Sequence, residues 1–326
     1  MMSTLFSRRA VAAALLCAAP LGVFAQAYPG KPIKAIVPFA PGSATDQIAR
    51  AFGAKMSETL GQPIVIENRA GANGMIGADA VAKAPADGYT ILFGTNSTNA
   101  ALKSLMKKLP YDQDTAFAAV AYMGSVPLIV AVNNDVPVKT LGDLIAMAKA
   151  KPNYITFATA STSQRISSEM LAGMAGVKMT HVPYKSSPGA ITDLISGQVM
   201  MFTADFAVML PQVKGGKVRA LAVTSAKRSS VLPDLPTVAE AGGAALKDYE
   251  LIAFFGAYTT AGAPREAIAK LNDAINKAAH SKELIERFNT LGLETNPGTP
   301  EAFAQRTARE AVKWAKAIKD AGIEPE

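Results

Sequence analysis

The stretch Pro38-Phe39-Ala40-Pro41-Gly42-Ser43-Ala44-Thr45-Asp46 decides the fold. It follows the apolar run Ile33 to Val37, which predicts a strand, and it opens an amphipathic helical pattern. Two prolines and a glycine hold its backbone in a fixed turn. Ser43 and Asp46 have the spacing of a capping box, so the helix starts directly after this turn. The unpaired amides of such a helix start suit a carboxylate, although a well-capped helix without a ligand explains the same residues.

The helix that follows is predicted from Thr45 to Leu60, because apolar side chains recur every fourth residue and Gly61 provides a stop. Beyond it, short β-branched runs alternate with longer helical patterns, and the C-terminal segment is nearly all helical. This alternation is typical of an α/β protein with largely parallel sheets. The predicted strands are Ile33 to Val37, Ile64 to Glu67, Thr90 to Phe93, Leu128 to Val132, Ile155 to Ala158, Val199 to Thr203, Val218 to Val223 and Leu251 to Gly256.

Two more polar loops follow predicted strands. The first runs from Gly94 to Asn99 and contains Asn96 and Thr98; the second contains Ser161-Thr162-Ser163-Gln164. Three such loops at strand ends would ring one crevice if two lobes face each other, and together they favour a binding cleft over an active site. Each loop alone is also explained by ordinary helix capping. Asp205 follows a predicted strand and either points into the cleft or lies in a solvated loop.

The N-terminus has the pattern of a secretory signal peptide. Arg8 and Arg9 precede an apolar run from Ala10 to Ala25, and Ala25-Gln26-Ala27 provides a cleavage site near Ala27. The run is too short for a membrane-spanning helix. We therefore expect residues 1–27 to be removed and the chain to be exported to the periplasm. Both the twin-arginine and the general export routes remain open, and Leu16 before Cys17 argues against a lipid anchor.

The remaining 299 residues (326 minus 27) are enough for two lobes with separate cores. They contain no cysteine, so no internal disulfide is expected. The formal net charge falls from +7 to +5, because the leader holds two arginines and no acid. The positive side chains are scattered and not interleaved with aromatics, which argues against nucleic-acid binding. An anionic solute is compatible with this charge.

The sequence contains no recognisable catalytic motif. The chain has two histidines and no HExxH, paired CxxC or GxSxG pattern, so we expect no enzyme, no cofactor and no metal site. His280 ends a helical pattern, where a surface role is expected. His181 could act as a base, but a packed histidine is the favoured interpretation. The glycines from Gly71 to Gly77 have GxxGxxG spacing, which favours a glycine-dependent turn over a dinucleotide loop, and Asp193 and Asp205 are too isolated for a metal site.

Six motifs occur in a defined order: Pro38 to Asp46, Glu67-Asn68-Arg69-Ala70-Gly71-Ala72-Asn73-Gly74, Ala86-Asp87-Gly88-Tyr89-Thr90, His181-Val182-Pro183-Tyr184-Lys185, Gly197-Gln198-Val199 and Leu235-Pro236-Thr237-Val238-Ala239-Glu240-Ala241-Gly242. In this order they resemble the tripartite tricarboxylate transporter receptor family, also called Bug proteins. The resemblance extends from about Tyr28 to Lys313-Trp314. Ser43 stands where the family commonly has a second glycine, and Ser161 to Arg165 replaces its commoner glycine-rich turn.

The resemblance implies a two-lobed periplasmic binding protein fold, type II-like, in which each lobe is a mostly parallel sheet flanked by helices and two crossing strands join the lobes. We expect residues 28–127 plus 250–326 in lobe 1 and residues 128–249 in lobe 2. In the family, the loop after the first strand and the facing loop of the second lobe grip a ligand carboxylate, partly through water. The predicted ligand-binding residues are Phe39, Ala40, Pro41, Gly42, Ser43, Thr45, Asp46, Asn96, Thr98, Ser161, Thr162, Ser163, Gln164 and Asp205.

The function expected from these features is capture of a small organic acid by lobe closure, with no catalysis. A monomer that passes its ligand to membrane permease subunits is expected, and a receptor for a sensor kinase is the alternative. An exported hydrolase or lyase that uses His181 or Asp205 is a further alternative. Phe39 suits stacking against a ring, but aliphatic acids fit as well, and Arg165 either pairs with a second carboxylate or lies on the surface.

Overall fold

The computed structural model describes residues 28–325, so the predicted signal peptide lies outside the described residues. The strands are β1 (Ile33–Val37), β2 (Ile64–Asn68), β3 (Thr90–Thr95), β4 (Phe117–Asn133), β5 (Thr156–Thr159), β6 (Thr180–Pro183), β7 (Met201–Asp205), β8 (Val218–Val223) and β9 (Ile252–Thr260). The helices are α1 (Ala44–Leu60), α2 (Met75–Ala82), α3 (Leu102–Leu105), α4 (Leu141–Ala150), α5 (Thr162–Ala175), α6 (Ser187–Ser196), α7 (Phe206–Lys214), α8 (Val238–Ala241), α9 (Arg265–Ala279), α10 (Lys282–Leu291) and α11 (Pro300–Asp320). Short helical turns cover Ala72–Gly74, Ser97–Ala101 and Ala244–Leu246.

The strands form one mixed sheet in the order β2-β1-β3-β9-β4-β7-β5-β6, with β8 also paired to β4. The long strand β4 changes partners along its length. Its residues up to Pro127 pair with β9, and those from Leu128 onward pair with β7 and β8. β4 and β9 therefore run between two groups of strands. The predicted α/β class is confirmed, and the exact lobe boundaries stay a prediction.

The parallel order holds for the outer strands, where β1 pairs with β2 and β3, and β5 pairs with β6 and β7. The pairs that involve β4 and β9 are antiparallel. The sequence patterns revealed only the second half of β4, because the first half is rich in alanine and contains Gly124, which have low strand propensity. They also missed β6, which has only four residues and ends in Pro183. The other predicted strands differ from the observed ones by a few residues at their ends.

The C-terminal helices return to the first group of strands. Asn272 on α9 donates a hydrogen bond of 2.8 Å to the carbonyl of Val120 on β4. On α11, Phe303 packs against Tyr258 of β9 with ring centroids 4.8 Å apart. A smaller apolar cluster around Phe202 and Phe206 fills the space among β7, β8, α6 and α7. Within residues 28–325 no helix is both long and apolar enough to cross a membrane.

Candidate functional site

A narrow cavity lies where several helices begin. The starts of α1, α5, α6 and α7 and the helical turn Ser97–Ala101 all contribute to its lining. Eight of the predicted ligand-binding residues line it, namely Phe39, Ser43, Thr45, Asn96, Ser161, Ser163, Gln164 and Asp205. The three polar loops singled out in the sequence, together with Asp205, thus meet at one place.

Six predicted residues do not line this cavity. Ala40 lines an adjoining pocket, and the others are Pro41, Gly42, Asp46, Thr98 and Thr162. Thr98 is fully buried, and its hydroxyl accepts a hydrogen bond of 2.9 Å from the Thr95 amide. Thr162 is buried behind the loop, and its hydroxyl has no hydrogen-bond partner among the described residues. These residues shape the loops, and the structure does not bring their side chains to the cavity.

The first wall of the cavity is the turn that precedes α1. The Ser43 amide donates to the Ala40 carbonyl (3.1 Å), and Gly42 has φ +79°, a conformation that favours glycine. The Ser43 hydroxyl then caps α1 by accepting from the Asp46 amide at 3.3 Å. The cap predicted from the sequence is thus present. The second hydrogen bond of the capping box differs from the expected one. The Asp46 carboxylate accepts from the Gly42 amide (3.0 Å) and not from the Ser43 amide.

Asp46 is almost fully buried behind this wall. Its carboxylate accepts from Arg50 Nε at 3.0 Å and from Asn68 Nδ2 at 2.8 Å, in addition to the Gly42 amide. Burial acts to raise the pKa of Asp46, but these hydrogen bonds outweigh it and hold the pKa below its usual value. Asp46 therefore stabilises the turn as a paired anion.

Asn96 follows β3 and contributes an unpaired donor to the cavity. Its side-chain oxygen accepts from the Phe254 amide at 3.3 Å, which fixes the orientation of the side-chain amide. The Nδ2 group has no hydrogen-bond partner among the described residues, although Asn96 is only 1% exposed. A buried donor without a partner is costly, so this group is suited to an acceptor supplied by a ligand.

The second wall is the start of α5 together with Asp205. Ser161 is the N-cap of α5 but makes no capping bond; its hydroxyl lies 3.1 Å from that of Ser163. Gln164 Nε2 donates to Ser187 Oγ (3.0 Å) and to Asp205 Oδ2 (3.2 Å). Burial raises the pKa of Asp205, and the hydrogen bond from Gln164 only partly offsets this effect.

The electrostatics of the cavity come from amides and helix ends. Asp205 alone carries a formal charge among the described residues that line it. Helix N-termini present unpaired amides and partial positive charge, which bind carboxylates without a cationic side chain. Serine hydroxyls and the Asn96 amide add further donors. The arrangement can therefore hold an anionic group by hydrogen bonds alone.

The cavity is small. It offers about 20 Å³ for the centres of water molecules, roughly the room that one water needs. The walls approach each other outside it as well, because a Cβ built on Gly42 would lie 3.5 Å from Pro188 at the start of α6. Phe39 lines both this cavity and an adjoining pocket, whose other lining residues include Ala72, Asn73 and Lys185. The space is smaller than an organic acid.

Three lining residues, Ala44, Thr95 and Ser97, lie in loops singled out in the sequence but were not among the predicted ligand-binding residues, and three others were missed altogether: Ser187, Ala253 and Phe255. Ser187 was missed because β6, the strand that leads to it, was not predicted. The signal was present in Ser186-Ser187-Pro188, since Ser186 caps α6 and proline favours a helix start. The residues of β9 reach the cavity only because this strand crosses the centre of the sheet.

Of the two residues considered for catalysis, Asp205 lines the cavity and His181 lies elsewhere. His181 stacks on Phe157 with ring centroids 5.3 Å apart, and its Nε2 lies 2.6 Å from the Thr159 hydroxyl. His280 sits at the end of α9, where its Nδ1 lies 2.7 Å from the Asn276 carbonyl. Neither histidine lines the cavity, and neither does Arg165. Within residues 28–325 no group of three or more histidine, cysteine, aspartate or glutamate side chains is placed to hold a metal ion.

Comparison with known families gives a match over most of the chain. Residues 48–323 match the model of the tripartite tricarboxylate transporter family receptor. The chain belongs to this family. The family predicted from the six motifs is confirmed.

Solved structures of similar receptors share the whole fold. An R. palustris protein with adipate is 34% identical, has a TM-score of 0.88 and matches 92% of this chain and 100% of its own. The periplasmic binding protein BugD is 33% identical, with a TM-score of 0.86 and coverage of 92% and 100%. MatC from Rhodopseudomonas palustris with bound malate is 31% identical, with a TM-score of 0.82 and coverage of 89% and 100%. The predicted periplasmic binding protein fold is confirmed.

Proposed function

We propose that this receptor captures a small organic acid in the cavity between its two walls and delivers it to a membrane permease. The observation that carries the proposal is the convergence of several helix starts on one buried space that contains the unpaired Asn96 donor. The similar receptors with adipate and malate support a carboxylate as the ligand. The resemblance to BugD supports a periplasmic location.

The ligand would bind between Ser43, Thr45 and Asn96 on one side and Ser161 to Gln164 on the other. Because the cavity is too small for an organic acid, the lobes must open to admit it and close around it. A ligand that contacts both lobes favours the closed form, whereas a ligand that contacts one lobe equally well in both forms shifts nothing. The closed form would then present the surface that the permease recognises.

Catalysis is disfavoured by the placement of the proposed base. His181 is engaged with Thr159 and Phe157 outside the cavity, and Asp205 faces Gln164 and not a serine nucleophile. Uptake measurements distinguish delivery to a permease from signalling through a sensor kinase. If the receptor delivers its ligand to a permease, a strain that lacks the receptor should lose uptake of the labelled solute. Unchanged uptake in that strain would contradict delivery to a permease.

Binding is tested with residues 28–326, stripped of ligand by unfolding and refolding. The thermal midpoint is measured against a panel of aliphatic and aromatic carboxylates. A ligand present at about a thousandfold excess over its dissociation constant stabilises the native state by roughly 4 kcal/mol. We expect a selective increase in the midpoint with one class of acid, and no increase with any acid would refute the assignment.

The informative variant is Ser43→Asp. Aspartate caps helices about as well as serine, so α1 should remain intact while a negative charge enters the cavity and blocks the anion. The matched control is Ser281→Asp, the same change at the N-cap of α10, where Ser281 accepts from the Leu284 amide at 3.4 Å. Ser43→Asp should abolish ligand stabilisation and Ser281→Asp should preserve it. Equal effects of the two substitutions would mean that the first wall does not contact the ligand.

A further inference from the structure

Asp205 occupies a helix N-cap without acting as a cap. An aspartate at this position normally accepts a hydrogen bond from an amide of the first turn. Asp205 precedes α7 but makes no such side-chain bond. Its side chain turns to Gln164 and lines the cavity, while the residue is only 7% exposed. The fold therefore buries a carboxylate that it does not use to stabilise the helix.

Gln164 is held in one orientation. Its side-chain oxygen accepts from the Ala160 amide at 2.7 Å, so its Nε2 group must face Ser187 and Asp205. This neutral donor serves only one oxygen of the carboxylate. Burial raises the pKa of Asp205, as expected for an acid whose charge is poorly compensated. A ligand group that donates a hydrogen bond would supply the missing compensation.

Donors and acceptor are thus supplied by different residues of the cavity. Asn96 Nδ2 and the helix starts offer donors for an anionic group. Asp205 offers an acceptor, and no lysine, arginine or histidine stands among the described lining residues to neutralise it. A complementary ligand has one carboxylate for the donors and one donor for Asp205. A second ligand carboxylate beside Asp205 would place like charges together in a buried site, which is strongly unfavourable.

We propose that this receptor selects acids that carry a hydroxyl or ammonium group in addition to a carboxylate, and that Asp205 binds this donor and rejects a second carboxylate. The inference rests on the proposed function and narrows its ligand class. Adipate, present in the structure of a similar receptor, is a dicarboxylate without such a donor and lies outside this ligand class. Phe39 and Phe255 would contact the carbon skeleton between the two polar ends.

The test uses acids that differ only in their terminal group. Pentanoate, γ-hydroxybutyrate, γ-aminobutyrate and glutarate carry a methyl, hydroxyl, ammonium or carboxylate group on the same carbon, C4. The same groups are placed on shorter and longer chains and on a benzoate ring, so that length does not limit the result. Affinities for refolded residues 28–326 are measured by calorimetry. We expect the hydroxyl or ammonium acid to bind roughly 100-fold more tightly than the matching dicarboxylate.

The variant is Asp205→Asn, which keeps an acceptor for Gln164 and removes the charge. It should weaken binding of the donor-bearing acid, more for ammonium than for hydroxyl, and improve binding of the dicarboxylate, so that the ratio falls at least tenfold. A wild-type protein that binds dicarboxylates as tightly as donor-bearing acids overturns the inference but leaves the proposed function intact. Binding of no acid at all overturns both. The wild-type ratio remains decisive if the variant does not fold.

Discussion

Asp46 and Asp205 are both buried aspartates at the start of a helix, one on each wall of the cavity, yet their surroundings are opposite. Asp46 accepts hydrogen bonds from an amide, a guanidinium and an asparagine, which lower its pKa. Asp205 accepts from Gln164 alone among other side chains, and burial raises its pKa. The partners of a buried carboxylate, and not its burial, therefore distinguish structural support from a group left available to a ligand.

The difference has a simple origin in the sequence. Arg50 lies four residues after Asp46, on the same face of α1, and forms an ion pair with it. Four residues after Asp205 stands Met209, which belongs to the apolar core. The first wall thus carries a counterion for Asp46, whereas no cationic side chain stands beside Asp205 among the described residues that line the cavity. This contrast can be tested by removing each group in turn.

Removing the Asp46 carboxylate should have the largest effect on stability. Asp46→Ala leaves the Gly42 amide and the Asn68 side chain without their acceptor and Arg50 without its partner. We expect the free energy of unfolding at pH 7 to fall by roughly 2 to 4 kcal/mol, below the full cost of breaking a buried pair because Arg50 is half exposed. Urea denaturation measures it. A loss under about 1 kcal/mol would show that the turn does not depend on this anion.

Removing the Asp205 charge should have the opposite sign. In the ligand-free protein, at a pH above the raised folded-state pKa of Asp205, Asp205→Asn should raise the free energy of unfolding by roughly 1 to 3 kcal/mol, because a poorly compensated buried charge disappears. The pKa of Asp205 is higher in the folded than in the unfolded state. The wild type is therefore destabilised at a pH above the folded-state pKa, and it regains this stability as the pH falls to the unfolded-state pKa. The advantage of the variant should therefore shrink on acidification.

Asp46→Asn is the matched control for this pH dependence. The pKa of Asp46 is lowered in the folded state, so its stabilisation is present above the unfolded pKa and is lost as the pH falls through the folded pKa. The asparagine variant should be less stable than the wild type at pH 7 and should approach it in acid. If Asp46→Asn and Asp205→Asn both destabilise the protein at pH 7, the two aspartates do not differ in the way proposed.

Two glycines with positive φ allow backbone strain in the cavity wall to be compared with backbone strain elsewhere. Gly42 (φ +79°) lies in the first wall, and Gly61 (φ +65°) ends the same helix far from it. Alanine at either position should cost about 1 to 2 kcal/mol of unfolding free energy, since a Cβ is disfavoured there. Only Gly42→Ala should also weaken ligand binding in calorimetry, because its strain falls on the turn that carries Ser43. Equal affinity of the two variants would exclude this turn from the binding site.

Local features of the first wall could be predicted from the sequence. The Ser43 cap, the turn at Gly42 and the helix stop at Gly61 each depend on residues a few positions apart, where capping and turn chemistry act directly. The same reasoning brought the three polar loops to one crevice, because strand ends meet at one edge of a sheet. The family motifs extended this inference to the whole fold.

The interactions that distinguish the second wall could not be predicted in this way. The bond between Gln164 and Asp205 joins residues 41 positions apart, and the bond between Asn96 and Phe254 joins residues 158 positions apart. Such contacts depend on the packing of α5 against β7 and on the crossing of β9, which no local pattern encodes. Ser187 was missed for the same reason, since it follows β6, whose four residues give too short a pattern to detect.

The two N-cap serines provide the smallest and most direct test of the contrast between the walls. Ser43 caps α1 through the Asp46 amide, whereas Ser161 makes no capping bond at α5. Ser43→Ala should cost about 1 kcal/mol of unfolding free energy and Ser161→Ala only a few tenths. Because the Ser161 hydroxyl bonds with the Ser163 hydroxyl and does not cap the helix, its loss should appear mainly as weaker ligand binding in calorimetry. If Ser161→Ala instead destabilises as much as Ser43→Ala and leaves affinity unchanged, this serine is a helix cap, and the second wall supports its own fold as the first one does.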